Sequence, residues 1–193
     1  MLKGLHMAER IIIKDLDKAL VNIDKINYVE RNHLIRYKYA LGLLKPNWRV
    51  LDIACGSGYG SKMMAELGCS VVGCDISDEA LDLCKKFNDH KKIEWKKLNL
   101  TEVKNNFSQK FDAIVCFETL EHIAKGQEKV LQDFKDMTVT GAPIITSIPL
   151  NHPDKVWHLR QFTFEQRDKM YRDVFSRYDY PEENKSLVIA WNE

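Results

Sequence analysis

The chain contains no Cys-x-x-Cys pair, no internal repeat, no low-complexity tract and no run of about 18 apolar residues. Without such a run, no segment is expected to span a membrane. The charges within Ala8–Asp17 leave no apolar core for a signal peptide. The five cysteines, Cys55, Cys69, Cys74, Cys84 and Cys116, are odd in number and fall in apolar stretches. That is the setting of free thiols used as small core residues, and it points to a reducing, cytoplasmic compartment. Excess charge is missing as well. Lys and Arg number 29 against 28 Asp and Glu, a formal net charge of +1. This balance gives no general attraction to nucleic acid or to an anionic membrane. A chain of 193 residues is long enough for one domain with its own core.

What is present centres on Val50–Gly60, VLDIACGSGYG. The apolar run Val50–Ala54 predicts a buried strand, the glycines Gly56, Gly58 and Gly60 a loop, and Ser61–Leu67 a helix. Strand, glycine loop and helix form the front half of a βαβ unit, whose helix N-terminus offers free N–H groups to a ligand. The spacing argues against a dinucleotide: counted from Gly56, the third position of G-x-G-x-x-G is Ser61. Asp52, ahead of the glycines, suits a positively charged ligand better than a pyrophosphate.

The run D-x-A-C-G-S-G-Y-G resembles motif I of the class I S-adenosylmethionine-dependent methyltransferases. The resemblance extends over about Arg49 to Trp191. It implies an α/β fold, a Rossmann-like doubly wound sheet of seven strands with the last antiparallel. A helical N-terminal cap over residues 1–45 would precede the Rossmann-like core of residues 46–193 in a single domain. The implied cofactor is S-adenosyl-L-methionine. Asp52, Gly56 and Gly58 would seat its methionine part, Asp75 its ribose, and Asn99 and Leu100 its adenine, with Ala54, Ile76 and Phe117 among the cofactor-binding positions.

Other residues add independent support. Asp75 ends the apolar run Ser70–Asp75, 23 residues beyond Asp52, close to the ribose-binding position of nucleotide-type βαβ units. Ser77 reads as the N-cap of a helix over Asp78–Asn88. Further strands are expected at Lys91–Lys97, Phe111–Cys116 and Ile144–Ile148, and further helices at Met7–Ile26, Glu30–Leu44 and Gln127–Met137. Thr163 and Gln166 form a capping box at the start of the last helix. Val174–Tyr180 and Ser186–Trp191 would close the sheet as an antiparallel pair.

His33, Arg36 and Lys38 lie off the apolar stripe Leu34, Tyr37, Leu41 and Leu44, which reads as a solvated face. The family resemblance gives a second reading, in which Arg36 and Tyr37 belong to a helix covering the cofactor and Arg36 meets its carboxylate. A planar guanidinium suits that task.

The segment Phe117–Ile123, FETLEHI, resembles motif IV of the same family. If helical, it puts Glu118, Glu121 and His122 on one face. That cluster reads as catalytic or substrate-orienting, as a structural hydrogen-bond network, or as a divalent metal site completed by His152 or His158; no metal is assigned. His158–Thr163 resembles an H-x-R-x-F/Y-T element of methyltransferases acting on sugars, lipids or polysaccharide. His122 and His158 are the candidate general bases, with Glu121 orienting one of them. The expected activity is methyl transfer to an oxygen or nitrogen of a small molecule or sugar. The alternatives are a metal-dependent 2′-O-methyltransferase of an RNA terminal ribose and a non-catalytic module that binds the cofactor.

Overall fold

The computed structural model describes residues 11–150, 159–182 and 184–193. In Arg49–Ile53 (β1), Val50 faces one helical layer while Leu51 and Ile53 face the other, because successive residues of a strand point to opposite sides. Val50 through Ile53 are all buried, as expected for a parallel strand covered on both faces. Ser70–Asp75 (β2), Ile93–Lys97 (β3), Ala113–Phe117 (β4) and Pro143–Ser147 (β5) continue the parallel sheet, with β3 at the less buried edge. Arg177–Asp179 (β6) and Leu187–Trp191 (β7) complete a seven-stranded sheet in the order β3-β2-β1-β4-β5-β7-β6. β7 runs antiparallel to both of its neighbours, as the sequence led us to expect.

The helices are Leu16–Val21 (α1), Tyr28–Leu41 (α2), Tyr59–Leu67 (α3), Asp78–Phe87 (α4), Gln127–Met137 (α5) and Phe164–Arg172 (α6). On one face, Leu34, Tyr37 and Ala40 of α2 and Met63 and Met64 of α3 bury against Val50, Val71, Val115 and Ile145. On the other, Val130, Leu131 and Phe134 of α5 and Met170 and Tyr171 of α6 bury against Leu51, Ile53, Ile114 and Ile144. Ser77 caps α4 by accepting from the Ala80 amide, and the Thr163–Gln166 capping box opens α6 with both reciprocal bonds present. All five cysteines are free and buried, in the role of small core residues. Among the described residues, no helix is long and apolar enough to cross a membrane.

Three expected elements differ from the observed ones. Among the described residues, the helix expected over Met7–Ile26 is present only as α1. Within residues 11–15 the carbonyls are committed elsewhere: Ser57 Oγ donates to the Ile11 carbonyl (2.8 Å) and Asn88 Nδ2 to the Ile13 carbonyl (3.3 Å), while Asp15 caps α1. Met7–Arg10 lie outside the described residues. The helix expected over Glu30–Leu44 starts earlier, because Asn27 Oδ1 accepts the Glu30 amide at 2.9 Å, and it gives way at Gly42. The strand expected over Val174–Tyr180 shrinks to β6, since the amides of Val174 and Phe175 return to the Tyr171 carbonyl (3.1 and 2.8 Å).

Candidate functional site

The chain leaves β1 toward β2 and β3, then crosses back to β4 on the other side of β1. The carboxyl ends of β1 and β4 therefore flank a crevice at the point where the winding direction reverses, the usual ligand position in open α/β sheets. The loop after β1 enters this crevice through three left-handed residues, Ala54 (φ 60°), Gly56 (φ 59°) and Gly58 (φ 83°). A Cβ on Gly56 would meet nothing within 4 Å, so the backbone there borders open space. Gly58 has a different constraint: a Cβ on it would lie 2.6 Å from Cη2 of Trp95 and 2.8 Å from Cys84 Sγ.

Asp75, at the end of β2, holds the loop. Its Oδ2 accepts the Gly56 amide and its Oδ1 the Ser77 amide, both at 3.0 Å. The residue next to it, Ile76, is half exposed. At the end of β3, Asn99 caps a short 3-10 helix, Leu100–Asn106: its Oδ1 accepts from the Thr101 amide (3.1 Å) and the Thr101 hydroxyl (3.0 Å). Leu100 is buried beneath it.

Asp52 does not face the crevice openly. It is fully buried, and both oxygens are taken: Tyr37 OH donates to Oδ1 (3.1 Å) and Ser61 Oγ to Oδ2 (2.6 Å). Burial pushes its carboxyl up to about 7, although the two hydroxyl donors act in the opposite direction. Ser61, the residue that breaks the dinucleotide spacing, thus has a structural purpose. Tyr37 also packs edge-on against Tyr59 (5.4 Å between ring centroids) and Phe117 (4.9 Å). These contacts bring α2 down onto the ends of β1 and β4. Beside them, His33 Nδ1 and Tyr59 OH share a hydrogen bond of 3.0 Å. Burial and then the Arg36 charge lower the His33 ring to about 4, so it is neutral at physiological pH.

Arg36 is not on a solvated face. It is buried, with Nη2 3.3 Å from Glu118 Oε1 and Nε donating to Ser186 Oγ at 3.3 Å. Glu118 is left-handed (φ 48°), an uncommon conformation for a residue with a side chain. Ser147 fixes it there. The Glu118 amide donates to Ser147 O (3.1 Å) and Oγ (2.9 Å), and Ser147 Oγ donates to Glu118 Oε1 (2.7 Å).

This turn also undoes the expected helical face. Only Leu120–His122 form a single 3-10 turn, so Glu118, Glu121 and His122 do not share one helix surface. Glu121 is buried and lies 4.0 Å from His122 Nε2, while the His122 side chain is about one-third exposed, at 34%. Among the described residues, no three His, Cys, Asp or Glu side chains gather as a metal-ligand group. His152 and His158 lie outside the described residues.

Sequence reasoning missed Ser147, Ser186 and Tyr59, and it read His33 as part of a solvated face although its ring bonds to Tyr59. Each gains its place from a partner far along the chain, and no local spacing marks them. Ser61 alone left a trace, as the serine at a glycine position.

Residues 50–141 match a family model described as a methyltransferase domain. Among curated proteins, the chain is 36% identical over 77 residues to a ubiquinone biosynthesis O-methyltransferase of Dechloromonas aromatica, covering 39% of this chain and 33% of that protein. It is 29% identical over 117 residues to the same-named protein of Coxiella burnetii, covering 58% and 44%. The chain thus spans less than half the length of these relatives. Among solved structures, the magnesium protoporphyrin IX methyltransferase of Synechocystis, with bound SAH, superposes with a TM-score of 0.65 at 15% identity over 92% of this chain and 94% of that one. That likeness shows the Rossmann-like fold.

Proposed function

We propose, from the premise that the core of this chain is a class I S-adenosylmethionine-dependent methyltransferase domain, that it transfers a methyl group from S-adenosylmethionine to an oxygen or nitrogen of a small molecule or sugar. The observation that carries this reading is the joint placement of the glycine loop and Asp75. The loop offers open backbone at Gly56, and the acid that holds it has lone pairs left for a ribose diol. The Synechocystis neighbour holds the demethylated cofactor, and the names of the curated relatives favour an oxygen acceptor.

The reaction needs little from the protein beyond alignment. An acceptor lone pair attacks the methyl carbon in line with the carbon–sulfur bond, that bond breaks with its electron pair going to sulfur, and the sulfonium becomes a neutral thioether. Holding donor and acceptor in line supplies most of the acceleration. A hydroxyl acceptor also releases a proton. His122, partly exposed just beyond β4, is the proposed base, with buried Glu121 orienting its ring. His158 remains a second candidate for that role. Arg36, Tyr37, Asn99, Leu100, Ile76 and Phe117 are proposed to border the cofactor.

Calorimetric titration with S-adenosylmethionine, S-adenosylhomocysteine and NAD tests the binding half. The sulfur nucleotides should bind and NAD should not; a reversed order would overturn the proposal. His122→Ala, assayed with a radiolabelled methyl donor and a panel of phenolic and sugar acceptors, tests the catalytic half. Loss of turnover with unchanged cofactor affinity is expected for an enzyme rather than a binding module.

A further inference from the structure

Arg160 is a guanidinium held in place by neutral groups. Its Nη1 donates to Gln127 Oε1 at 2.8 Å, and its Cζ lies 4.9 Å from the ring centroid of Phe162. Both supports are themselves fixed. Phe162 is buried and bridges Leu150, just beyond β5. Gln127 is fully buried, and its Nε2 donates to the carbonyls of Leu120 (3.2 Å) and Ile123 (2.6 Å), which leaves Oε1 to accept from Arg160. Among the described residues, no carboxylate forms an ion pair with Arg160, and its Nε and Nη2 have no hydrogen-bond partner. Arg36, by contrast, is paired with Glu118. An amide oxygen and an aromatic face orient a cation without neutralising it. The location matters as much as the charge. The Arg160 amide donates to the Glu121 carbonyl at 3.0 Å, which ties it to the 3-10 turn Leu120–His122 beyond β4. The proposed base, His122, belongs to that same turn, and Arg160 is partly exposed beside it.

We propose that Arg160 anchors the acceptor by binding a carboxylate or phosphate carried on the small molecule whose hydroxyl or amine is methylated. The assignment rests on the methyltransferase reading above. Nε and Nη2 lie along one edge of the planar guanidinium and offer two parallel donors, the pattern that matches a pair of oxyanion oxygens. Because Gln127 and Phe162 have fixed the cation beforehand, little side-chain freedom is lost when the anion arrives. No internal ion pair has to break first. A neutral phenol or sugar of the same shape gains none of this attraction, so the anchor selects anionic acceptors over neutral ones.

Amide chemical-shift titrations of the isotope-labelled full chain, with S-adenosylhomocysteine present, test this. The probes are benzoate, phenyl phosphate and benzamide, the last a neutral counterpart of benzoate. At least one of the two anions should bind about tenfold or more tighter than benzamide, the scale of a charge-assisted hydrogen bond. It should shift the amides of Leu120–His122 and of residues 160–162. The tighter of the two anions identifies the group that Arg160 takes. Arg160→Gln should bring the anions down to the affinity of benzamide while leaving S-adenosylhomocysteine within about twofold of wild type. Arg160→Lys keeps the charge but not the two-donor edge, and should retain only part of the preference. Circular dichroism confirms that each variant is folded, and either one suffices if the other is not. No preference for an anion in wild type, an undiminished preference in either variant, or shifts confined to other residues would overturn the anchor. Failure of S-adenosylhomocysteine to bind would instead overturn the cofactor reading, and the same three titrations without it would still decide whether Arg160 holds an anion.

Discussion

The ring of Tyr37 fills the space that a side chain on Gly60 would need: a Cβ at position 60 would lie 2.0 Å from two of its ring atoms. Helix α2 therefore rests directly on the backbone of α3, and the Tyr37–Asp52 hydrogen bond keeps the ring from swinging away. Gly60→Ala would ordinarily favour a helix by up to about 1 kcal/mol. Here the overlap should reverse the sign and destabilise the fold by about 1–3 kcal/mol, the usual cost of overpacking. Adding Tyr37→Ala should remove that penalty. Urea unfolding of the four proteins of the double-mutant cycle measures the coupling, and strictly additive losses would disprove the contact.

Asp52 sets a pH dependence of stability. Its carboxyl titrates near 7 in the folded chain, against about 3.9 when unfolded. Between those values the folded state binds more protons than the unfolded state, so this group's contribution to stability falls as pH rises through the window. Asp52→Asn removes the titration while keeping acceptor and donor groups for Tyr37 and Ser61. The variant should gain on wild type by up to about 4 kcal/mol between pH 4 and pH 8. His33 acts oppositely. Its ring is lowered to about 4, so between there and about 6.5 the unfolded state binds more protons and stability rises with pH. The wild-type slope should consequently be shallow below pH of about 6.5 and fall most clearly from there to about 7.5. Urea melts across the range check this; a pH-independent difference between Asp52→Asn and wild type would contradict the raised carboxyl.

Gly56 and Gly58 should separate ligand approach from folding. Both are left-handed, but only Gly58 is closed in, by Trp95 and Cys84. Gly58→Ala should lose both stability and affinity for S-adenosylhomocysteine. Gly56→Ala carries only the left-handed backbone cost of about 1–2 kcal/mol, because its new methyl points into open space. It should stay folded and lose affinity disproportionately. Thermal melts paired with calorimetry distinguish the two, and equal binding losses per unit of lost stability would count against the loop as the ligand's approach.

The α6 capping box provides an independent comparison. Thr163→Ala removes the acceptor for the Gln166 amide and should cost about 1 kcal/mol. It should leave nucleotide affinity unchanged. A shift in affinity without a shift in melting temperature would mean that α6 reaches the ligand.

The parallel strands and their glycine turn were legible because local patterns define them. Val50–Ile53 is mostly apolar and leads into a run of glycines, and the acid at Asp75 sits at about the distance that a βαβ unit dictates. The resemblance to a methyltransferase motif was legible for the same reason. The charge arrangement was not. Arg36 reads as solvated from helical spacing, because the residue that buries its charge, Glu118, is 82 positions away. A helical FETLEHI would put Glu118, Glu121 and His122 on one face, but Ser147 captures the Glu118 amide from the neighbouring strand, where the backbone is left-handed. The stretch Ile11–Asp15 looks periodic, yet Ser57 and Asn88 draw on its carbonyls. In each case a polar partner distant in sequence overrides a local preference.

The bond from Arg36 to Ser186 joins positions 150 residues apart, and the Ile148 amide is held by the Ser186 carbonyl at 3.0 Å. The glycine loop is built early in the chain, whereas Ser186, which holds the Arg36 guanidinium, arrives with the turn into β7. Contacts of such long sequence separation carry a large loop-closure cost, which slows folding. The two ends of the domain therefore meet at this wall of the crevice, and Arg36 lacks one of its anchors until the turn into β7 is in place.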